Sequence, residues 1–295
     1  MSLVSRKLKV LVLGGKGFIG RHAVRFLHQQ NVEVTIGTRQ PAANPEFCET
    51  GFVLHKMLEE SDWIPRISEF DIVLNSVGIL RQRPGESYEA VHHHAPAAIA
   101  AACNKTNARY VHVSAVGLRA DARSRFNTSK LRGEKAITDV GGDYIIARIS
   151  LLDGEGGFGA AWLRGIARLP VFIVPNSATG RIAALTADDA GEALARLCLN
   201  PDTNRTRTFD LGGEDSYLFE DYIRGLRRRH TSHRAIALRL PGLITRLAAH
   251  FFDLIHFSPF SFGHWEMLCY DNLPRSADLR KVLGRPGNAV VEAIE

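Results

Sequence analysis

The residues with the clearest chemistry stand near the start of the chain, in KVLVLGGKGFIG (Lys9–Gly20). Gly15, Gly17 and Gly20 fit the G-x-G-x-x-G spacing of dinucleotide-binding loops, and Gly14 adds the G-x-x-G-x-x-G variant. Such a loop needs glycine three times: to turn tightly, to let backbone approach a pyrophosphate, and to seat a helix on a strand. The apolar run Val10–Leu13 reads as a buried strand, and a helix is expected from near Phe18. N–H groups at the helix start then hold an anion. Gly14, Gly15, Lys16, Gly17, Phe18, Ile19 and Gly20 are therefore the candidate pyrophosphate cradle. The competing reading is a glycine-rich turn without a ligand.

Two cations bear on which dinucleotide would bind. The second expected strand, VEVTIGTR (Val32–Arg39), ends where an adenosine ribose would lie. A carboxylate there accepts from the ribose hydroxyls of NAD(H), whereas an arginine accommodates the 2′-phosphate of NADP(H). This strand end offers Thr38 and Arg39 and no carboxylate, and Lys16 adds a second cation. NADP(H) is favoured over NAD(H). The alternative is that Arg39 is a solvated loop residue. A buried strand over DIVLNSVGIL (Asp71–Leu80) is expected to bring Asn75, Ser76, Val77 and Gly78 to the cofactor, because doubly wound sheets bind ligands beyond the carboxyl ends of their strands.

Other clusters carry less. Cys48, Cys103, Cys198 and Cys269 are far apart and form no C-x-x-C pair, which argues for free thiols rather than a zinc site or a disulfide framework. His92, His93 and His94 lie in a helical stretch. Neighbouring helical residues point about 100° apart, so three in a row do not readily share one ion. Packed or solvated histidines are expected, and no metal. The net charge of +6 is modest and dispersed. It would attract phosphate-rich ligands but is no argument for nucleic acid. No signal peptide is read at the N-terminus, and no run of about 18 apolar residues predicts a spanning helix. The expectation is a cytoplasmic protein.

These residues need a frame. RHAVRFLHQQ continues the first helix, with Ala23, Val24 and Leu27 as its stripe. GFVLHK (51–56) reads as a third strand, and SDWIPRISEF as a helix capped by Ser61. ARYVHVSAVG (Ala108–Gly117) and DYIIARISLLDG (Asp143–Gly154) are further strands. Repeating strand and helix units of about 30 residues argue for parallel strands with right-handed crossovers. The fold class is α/β: a Rossmann-type doubly wound parallel sheet with a smaller C-terminal lobe. We place the Rossmann domain at 1–155, with 181–209 returning to it, and the smaller lobe at 156–180 and 210–295. In 181–209, Thr186 caps a turn and a helix begins near Asp188. Arg227–Arg229 close another helix, where cations complement the dipole.

Leu240, Leu243, Ile244, Leu247, Ala248, Phe251, Leu254 and Ile255 recur at helical spacing, with Arg246, His250 and Asp253 opposite. A core or lid helix closing the substrate side is the favoured use, because amphipathic core helices are commonplace; the few lysines or arginines on the polar face weaken the membrane case. The competing use is a surface lying on a membrane or a partner subunit.

GGKGFIG, VLNSVG, VHVSAVG, the lysine of RFNTSK, and TADDAGEAL together resemble the short-chain dehydrogenase/reductase superfamily. The chain is most similar to its atypical branch, that of the NADPH-binding accessory subunit of respiratory complex I and its bacterial NAD-dependent epimerase/dehydratase-like relatives. CYDNLP followed by SADLRKVLG is similar to that branch's ending, so the resemblance covers nearly the whole chain. Active members of the superfamily use a tyrosine four residues before a lysine to move the proton, the lysine to hold the nicotinamide ribose, and a serine to orient the substrate carbonyl. The resemblance puts Ser114 at the serine and Lys130 at the lysine, both also beside the cofactor. The tyrosine position is Phe126, which has no proton to give.

General acid–base catalysis contributes about 10² to 10⁴-fold, so ordinary reductase chemistry should be badly crippled. The resemblance then implies an NADP(H)-binding protein with weak or no catalysis, assembled in a complex or peripheral to an inner membrane. The alternative is an active oxidoreductase or epimerase with a substitute acid, acting in quinone or lipid metabolism. Tyr88, Tyr110, His112 and Ser124 are the candidate donors by neighbourhood.

Overall fold

The computed structural model describes residues 6–200, 207–255 and 260–291. Strand β1 (Leu8–Leu13) leads through the glycine loop into α1 (Phe18–His28), which buries Ala23, Val24 and Leu27. β2 (Val32–Thr38) follows, then β3 (Cys48–Gly51). The third strand thus lies earlier than the apolar run that predicts it. β3 is a polar edge segment zipped to Thr35–Thr38, while Phe52 and Leu54 drop into the core and Leu54–Lys56 makes a 3₁₀ turn. Helix α2 (Glu60–Ile67) starts from a capping box made by Glu59 and Asp62, so Ser61 lies inside the first turn rather than capping it. β4 (Ile72–Asn75) stops well short of Leu80, because the Asn75 side-chain oxygen accepts the Val77 N–H at 3.1 Å and turns the chain. A π-helical turn, Glu89–His94, opens α3 (Ala95–Thr106). β5 (Arg109–Ala115), α4 (Arg125–Val140) and β6 (Tyr144–Ile149) complete this part.

The chain continues through β7 (Leu152–Asp153), α5 (Phe158–Arg168), β8 (Val171–Pro175), β9 (Arg181–Ile182) and β10 (Leu185–Thr186). Helix α6 (Ala187–Leu199) is capped by Thr186, whose hydroxyl accepts the Asp189 N–H at 3.1 Å. After it come β11 (Thr208–Leu211), β12 (Tyr217–Leu218), α7 (Phe219–Arg228), β13 (Ile236–Leu240), α8 (Gly242–Ile255), α9 (Phe262–Leu268) and α10 (Asp278–Leu283). Arg227 does more than complement a helix dipole: it is buried and donates to the carbonyls of Ala167, Leu169 and His233. Asp189 is fully buried, and its carboxylate accepts from the Arg285 guanidinium and from the backbone and side chain of Asn288.

Seven strands form one sheet in the order β11-β6-β5-β4-β1-β2-β3. Matched registers, Leu8↔Val32 through Leu13↔Gly37 and Val10↔Ile72 through Leu13↔Asn75, make it parallel around β1. This is the doubly wound arrangement, and strand order reverses between β1 and β4. Two compact units divide the chain. The first holds residues up to Ser114 with Arg132–Ala147 and Ala190–Phe209; the second holds Ala115–Leu131, Arg148–Asp189 and residues from Asp210 on. The first unit's core gathers Leu11, Leu13, Trp63, Ile67 and Ile99; the second's gathers Phe172, Val174, Tyr222, Ile223 and Leu226.

Candidate functional site

β1 is buried on both faces and ends at the point where strand order reverses. There Gly14 adopts φ +77°, a left-handed conformation open to glycine, and its N–H donates to the Gly37 carbonyl at 3.0 Å. The Gly17 N–H returns to the Gly14 carbonyl at 2.8 Å. A Cβ on Gly20 would stand 2.2 Å from the Gly14 carbonyl oxygen, and one on Gly15 would stand 2.8 Å from Ile36. Gly14, Gly15 and Gly20 are thus demanded by the fold of the loop, and Gly17 is tightly placed against the Gly14 carbonyl. Gly17 caps α1, so the N–H groups of Phe18, Ile19 and Gly20 lie in the first turn, where no intrahelical carbonyl reaches them. No acidic residue occupies that turn. The donor set fits a dinucleotide pyrophosphate.

β4 meets this loop. Ser76 donates both its N–H (3.0 Å) and its hydroxyl (2.8 Å) to the Leu13 carbonyl. Val77 lies against Gly14, and Gly78 sits beside His92, whose ring accepts the Ile79 N–H at 3.2 Å. Gly14, Gly20, Ser76 and Val77 are therefore one structure.

At the end of β2 the two cations are already engaged. The Lys16 ammonium reaches Glu49 at 2.8 Å, and Arg39 reaches Glu86 at 3.5 Å. The Lys16 hydrogen bond, with a second from the Ala42 N–H, holds the Glu49 carboxyl below the ordinary carboxylate range. β2 itself carries no carboxylate at this end, but the sheet brings one there. Glu49 arrives sideways, on β3, paired with Ile36.

Ser114 closes β5 and is buried. Its hydroxyl donates to the buried Glu134 of α4 at 2.5 Å. Glu134 was invisible to the motif, since it lies 20 residues further along on a helix. In the second unit, Phe126 is buried in the first turn of α4 against Gly263 and His264. The Lys130 ammonium stands over the Phe126 ring, 5.6 Å from its centre. This turn is clamped by Glu266 of α9, which accepts from the N–H groups of Arg123 (2.6 Å) and Ser124 (3.0 Å) and from the Asn127 amide (3.0 Å). Burial opposes the charged form, but these donors and the Ser124 hydroxyl outweigh it and hold the Glu266 carboxyl low.

The sequence profile of the NAD dependent epimerase/dehydratase family matches residues 10–212, from β1 to the end of the main sheet. The chain belongs to that family. Ceramide reductase of Caulobacter vibrioides is 27% identical over 240 residues, covering 80% of this chain and 75% of that protein. Subunit 9 of the NADH dehydrogenase [ubiquinone] 1 alpha subcomplex, mitochondrial, of Dictyostelium discoideum is 26% identical over 232 residues, covering 73% of this chain and 62% of that protein. Among solved structures, the NADPH-dependent quinone oxidoreductase QOR2 of Escherichia coli, complexed with NADPH, shares the fold at TM-score 0.69 and 15% identity, covering 95% of this chain and 96% of that one. The resemblance read from the motifs stands at the level of the family and of its Rossmann-type sheet, and the family's cofactor is a nicotinamide dinucleotide.

Each of the candidate substitute acids already has a hydrogen-bond partner within the protein. The Tyr88 hydroxyl donates to the Leu80 carbonyl at 2.8 Å. Tyr110 and His112 form a buried cluster with Asn75, and burial first of all lifts the Tyr110 phenol well above its ordinary range. Ser124 caps α4, accepting the Asn127 N–H. A residue the sequence did not flag, His264, lies 5.4 Å from the Phe126 ring and hydrogen-bonds Ser261 at 2.6 Å. No pattern could have paired it with Phe126, because 138 residues separate the two (264 minus 126).

Among the adjacent histidines, His93 and His94 stack with centres 4.5 Å apart, and Glu89 bridges His93 and Arg132. All four cysteines are free thiols; burial pushes Cys198 up to about 12 and Cys103 higher still. The second unit also holds a cavity of 440 Å³ lined by Arg119, Arg148, Asp210, Tyr270 and Arg275, among others, and none of the sequence-assigned residues lines it.

Proposed function

We propose that the protein binds NADP(H) and turns over carbonyl substrates weakly or not at all. The observation that carries this reading is Phe126: the proton-donor position holds a buried phenyl ring, with the Lys130 ammonium lying over it. Ser114 supports it, since its hydroxyl is already given to Glu134. The N–H groups from Gly14 to Gly20 would hold the pyrophosphate, Ser76 to Gly78 would border the cofactor, and Ser114 would lie toward its nicotinamide end. Lys16 and Arg39 would turn from Glu49 and Glu86 to a 2′-phosphate. When bound, the cofactor supplies or accepts hydride; this chain supplies no matching proton at position 126. Bound nucleotide would then act chiefly by stabilising the fold.

The deciding measurement is a fluorescence titration of nucleotide-stripped protein with NADPH and with NADH. Tight NADPH binding beside much weaker NADH binding is expected. Binding of neither, or equal binding of both, would overturn the cofactor reading. Robust turnover of a carbonyl or alcohol with NADP(H) would overturn the catalytic one.

One observation favours a second reading. His264, held by Ser261, lies beside Phe126 and could serve as the acid of a reductase. The ceramide reductase relative points to a carbonyl-bearing lipid as substrate. On this reading His264→Ala abolishes NADPH oxidation by a long-chain ketone, and Phe126→Tyr raises it. No turnover in the unmodified protein would end it.

A further inference from the structure

Helix α8 sits with its faces reversed from the favoured sequence expectation. The apolar stripe was read as a core or lid face. Instead, Thr245 and Ala249 are buried and the half-buried Asp253 packs with them, while His250 stays exposed and only its ring is engaged. Thr245 accepts the Trp265 indole N–H at 3.1 Å, His250 stacks on Phe262 with centres 4.1 Å apart, and Asp253 accepts the Phe262 N–H at 3.0 Å. Ala249 is buried beside them. Leu243, Ile244, Leu247 and Phe251 face outward. Leu240, counted in the stripe, belongs to β13, and the side chains of Leu254 and Ile255 lie outside the described residues.

The two-stranded ribbon of β8 and β13 has the same property. Its register pairs Val171 with Ile236 and Ile173 with Leu238. Phe172 and Val174 fill the second unit's core from one face. The opposite face, which a parallel pair ordinarily also covers, carries the four aliphatic side chains Val171, Ile173, Ile236 and Leu238. These and the four of α8 are between 46% and 69% exposed. With Leu169, they account for nine of the fourteen large apolar residues exposed among the described ones. Ribbon and helix are joined by Pro241 alone, and Gly242 lies against Ser177, just past β8. Soluble surfaces scatter such residues singly; clustered ones mark an interaction face.

We infer that this face of the second unit seats the protein on an anionic lipid surface. Charge decides the occupant. The segments 168–176 and 233–253 hold four arginines, Arg168, Arg234, Arg239 and Arg246, and one carboxylate, Asp253. Arg239 is bridged by Glu220 and Arg246 lies over the Phe262 ring, while Arg168 and Arg234 are exposed at the ribbon's start. Apolar side chains entering the acyl boundary with arginines at headgroup level is the arrangement of an interfacial anchor. Among the described residues no helix is long and apolar enough to cross a membrane. Unlike the nucleotide reading, this inference rests wholly on the second unit's surface, and the two fail independently.

Flotation of the full chain with vesicles tests it. Vesicles of phosphatidylcholine with phosphatidylglycerol should carry the protein upward; pure phosphatidylcholine should carry several-fold less. The double variant Leu247→Glu, Phe251→Glu should weaken partitioning by about a hundredfold, since burying each such side chain is worth roughly tenfold. Ile236→Glu with Ile173→Glu should give a similar loss. These positions are exposed, so the melting temperature of each variant should stay within a few degrees of the parent, and NADPH titration should be unchanged. Recovery of the parent protein in the dense fraction with both vesicle types would overturn the proposal, as would undiminished flotation of both variants. A two-chain species in sedimentation that Leu247→Glu dissociates would assign the face to a second copy instead and overturn the lipid reading.

Discussion

The glycine loop and the first turn of α4 are both tightly determined, but to opposite ends. In the loop, the determined groups are backbone, and they leave N–H donors directed outward from α1. A methyl group at Gly20 would meet a carbonyl oxygen, so the loop has one shape and it is the shape of an anion cradle. At the start of α4, Glu266 fixes the turn as firmly, yet what it fixes is a phenyl ring with an ammonium over it. Ser114, in the first unit, likewise gives its hydroxyl to a buried carboxylate. On the function proposed above, the fold keeps the precision of a site whose reactive positions are satisfied internally. Geometric order alone therefore does not report chemistry; what reports it is which polar groups still lack an internal partner.

The largest test of this contrast is Gly20→Ala. The added methyl overpacks against backbone, at about 2–3 kcal/mol, and dinucleotide affinity should fall by about a hundredfold, read by fluorescence titration. An unchanged affinity would mean the loop yields where its geometry says it is rigid. Next is Glu266→Gln, which keeps the shape of the clamp and removes its charge. Stability at neutral pH should drop by about 1–3 kcal/mol. The sign follows from the lowered carboxyl: Glu266 stabilises the fold above the ordinary glutamate value of 4.5, and that stabilisation is lost as pH falls below it through the folded-state value. Melting curves of parent and variant should therefore converge in acid; a gap that persists there would show the clamp is not electrostatic. Smallest is Glu49→Gln, which releases Lys16. NADPH should bind about two- to fivefold tighter, as expected for a partly exposed ion pair, with NADH unchanged. Equal gains for both nucleotides would remove Lys16 from the 2′-phosphate.

Much of this frame was legible along the chain. The loop, α1, β2 and the parallel order follow from local rules: apolar runs, glycine spacing and repeat length. The misreadings share one cause. β3 was placed on Phe52 and Leu54 because apolar residues imply strand, but these two fill the core beside a strand made of CETG. β13 has no strand expectation, because IALRL is short and its partner β8 lies some sixty residues earlier. For α8, periodicity identifies a helix with two faces but does not say which face is inward. That depended on Trp265 and Phe262, residues outside the helix. Glu49, Glu134 and His264 were missed for the same reason. Each acts through a partner that sequence distance hides.

Asp189 stands in the TADDAGEAL segment that helped place the chain among its relatives, and it touches no nucleotide-binding residue named above. Its carboxylate is a latch for residues 285–288. A chain shortened before Arg285 would leave that charge in the interior with three donors gone, and stranding a buried ion costs about 3–5 kcal/mol. Deletions or cleavage that remove Arg285 and Asn288 would thus act on the start of α6, 96 residues upstream (285 minus 189).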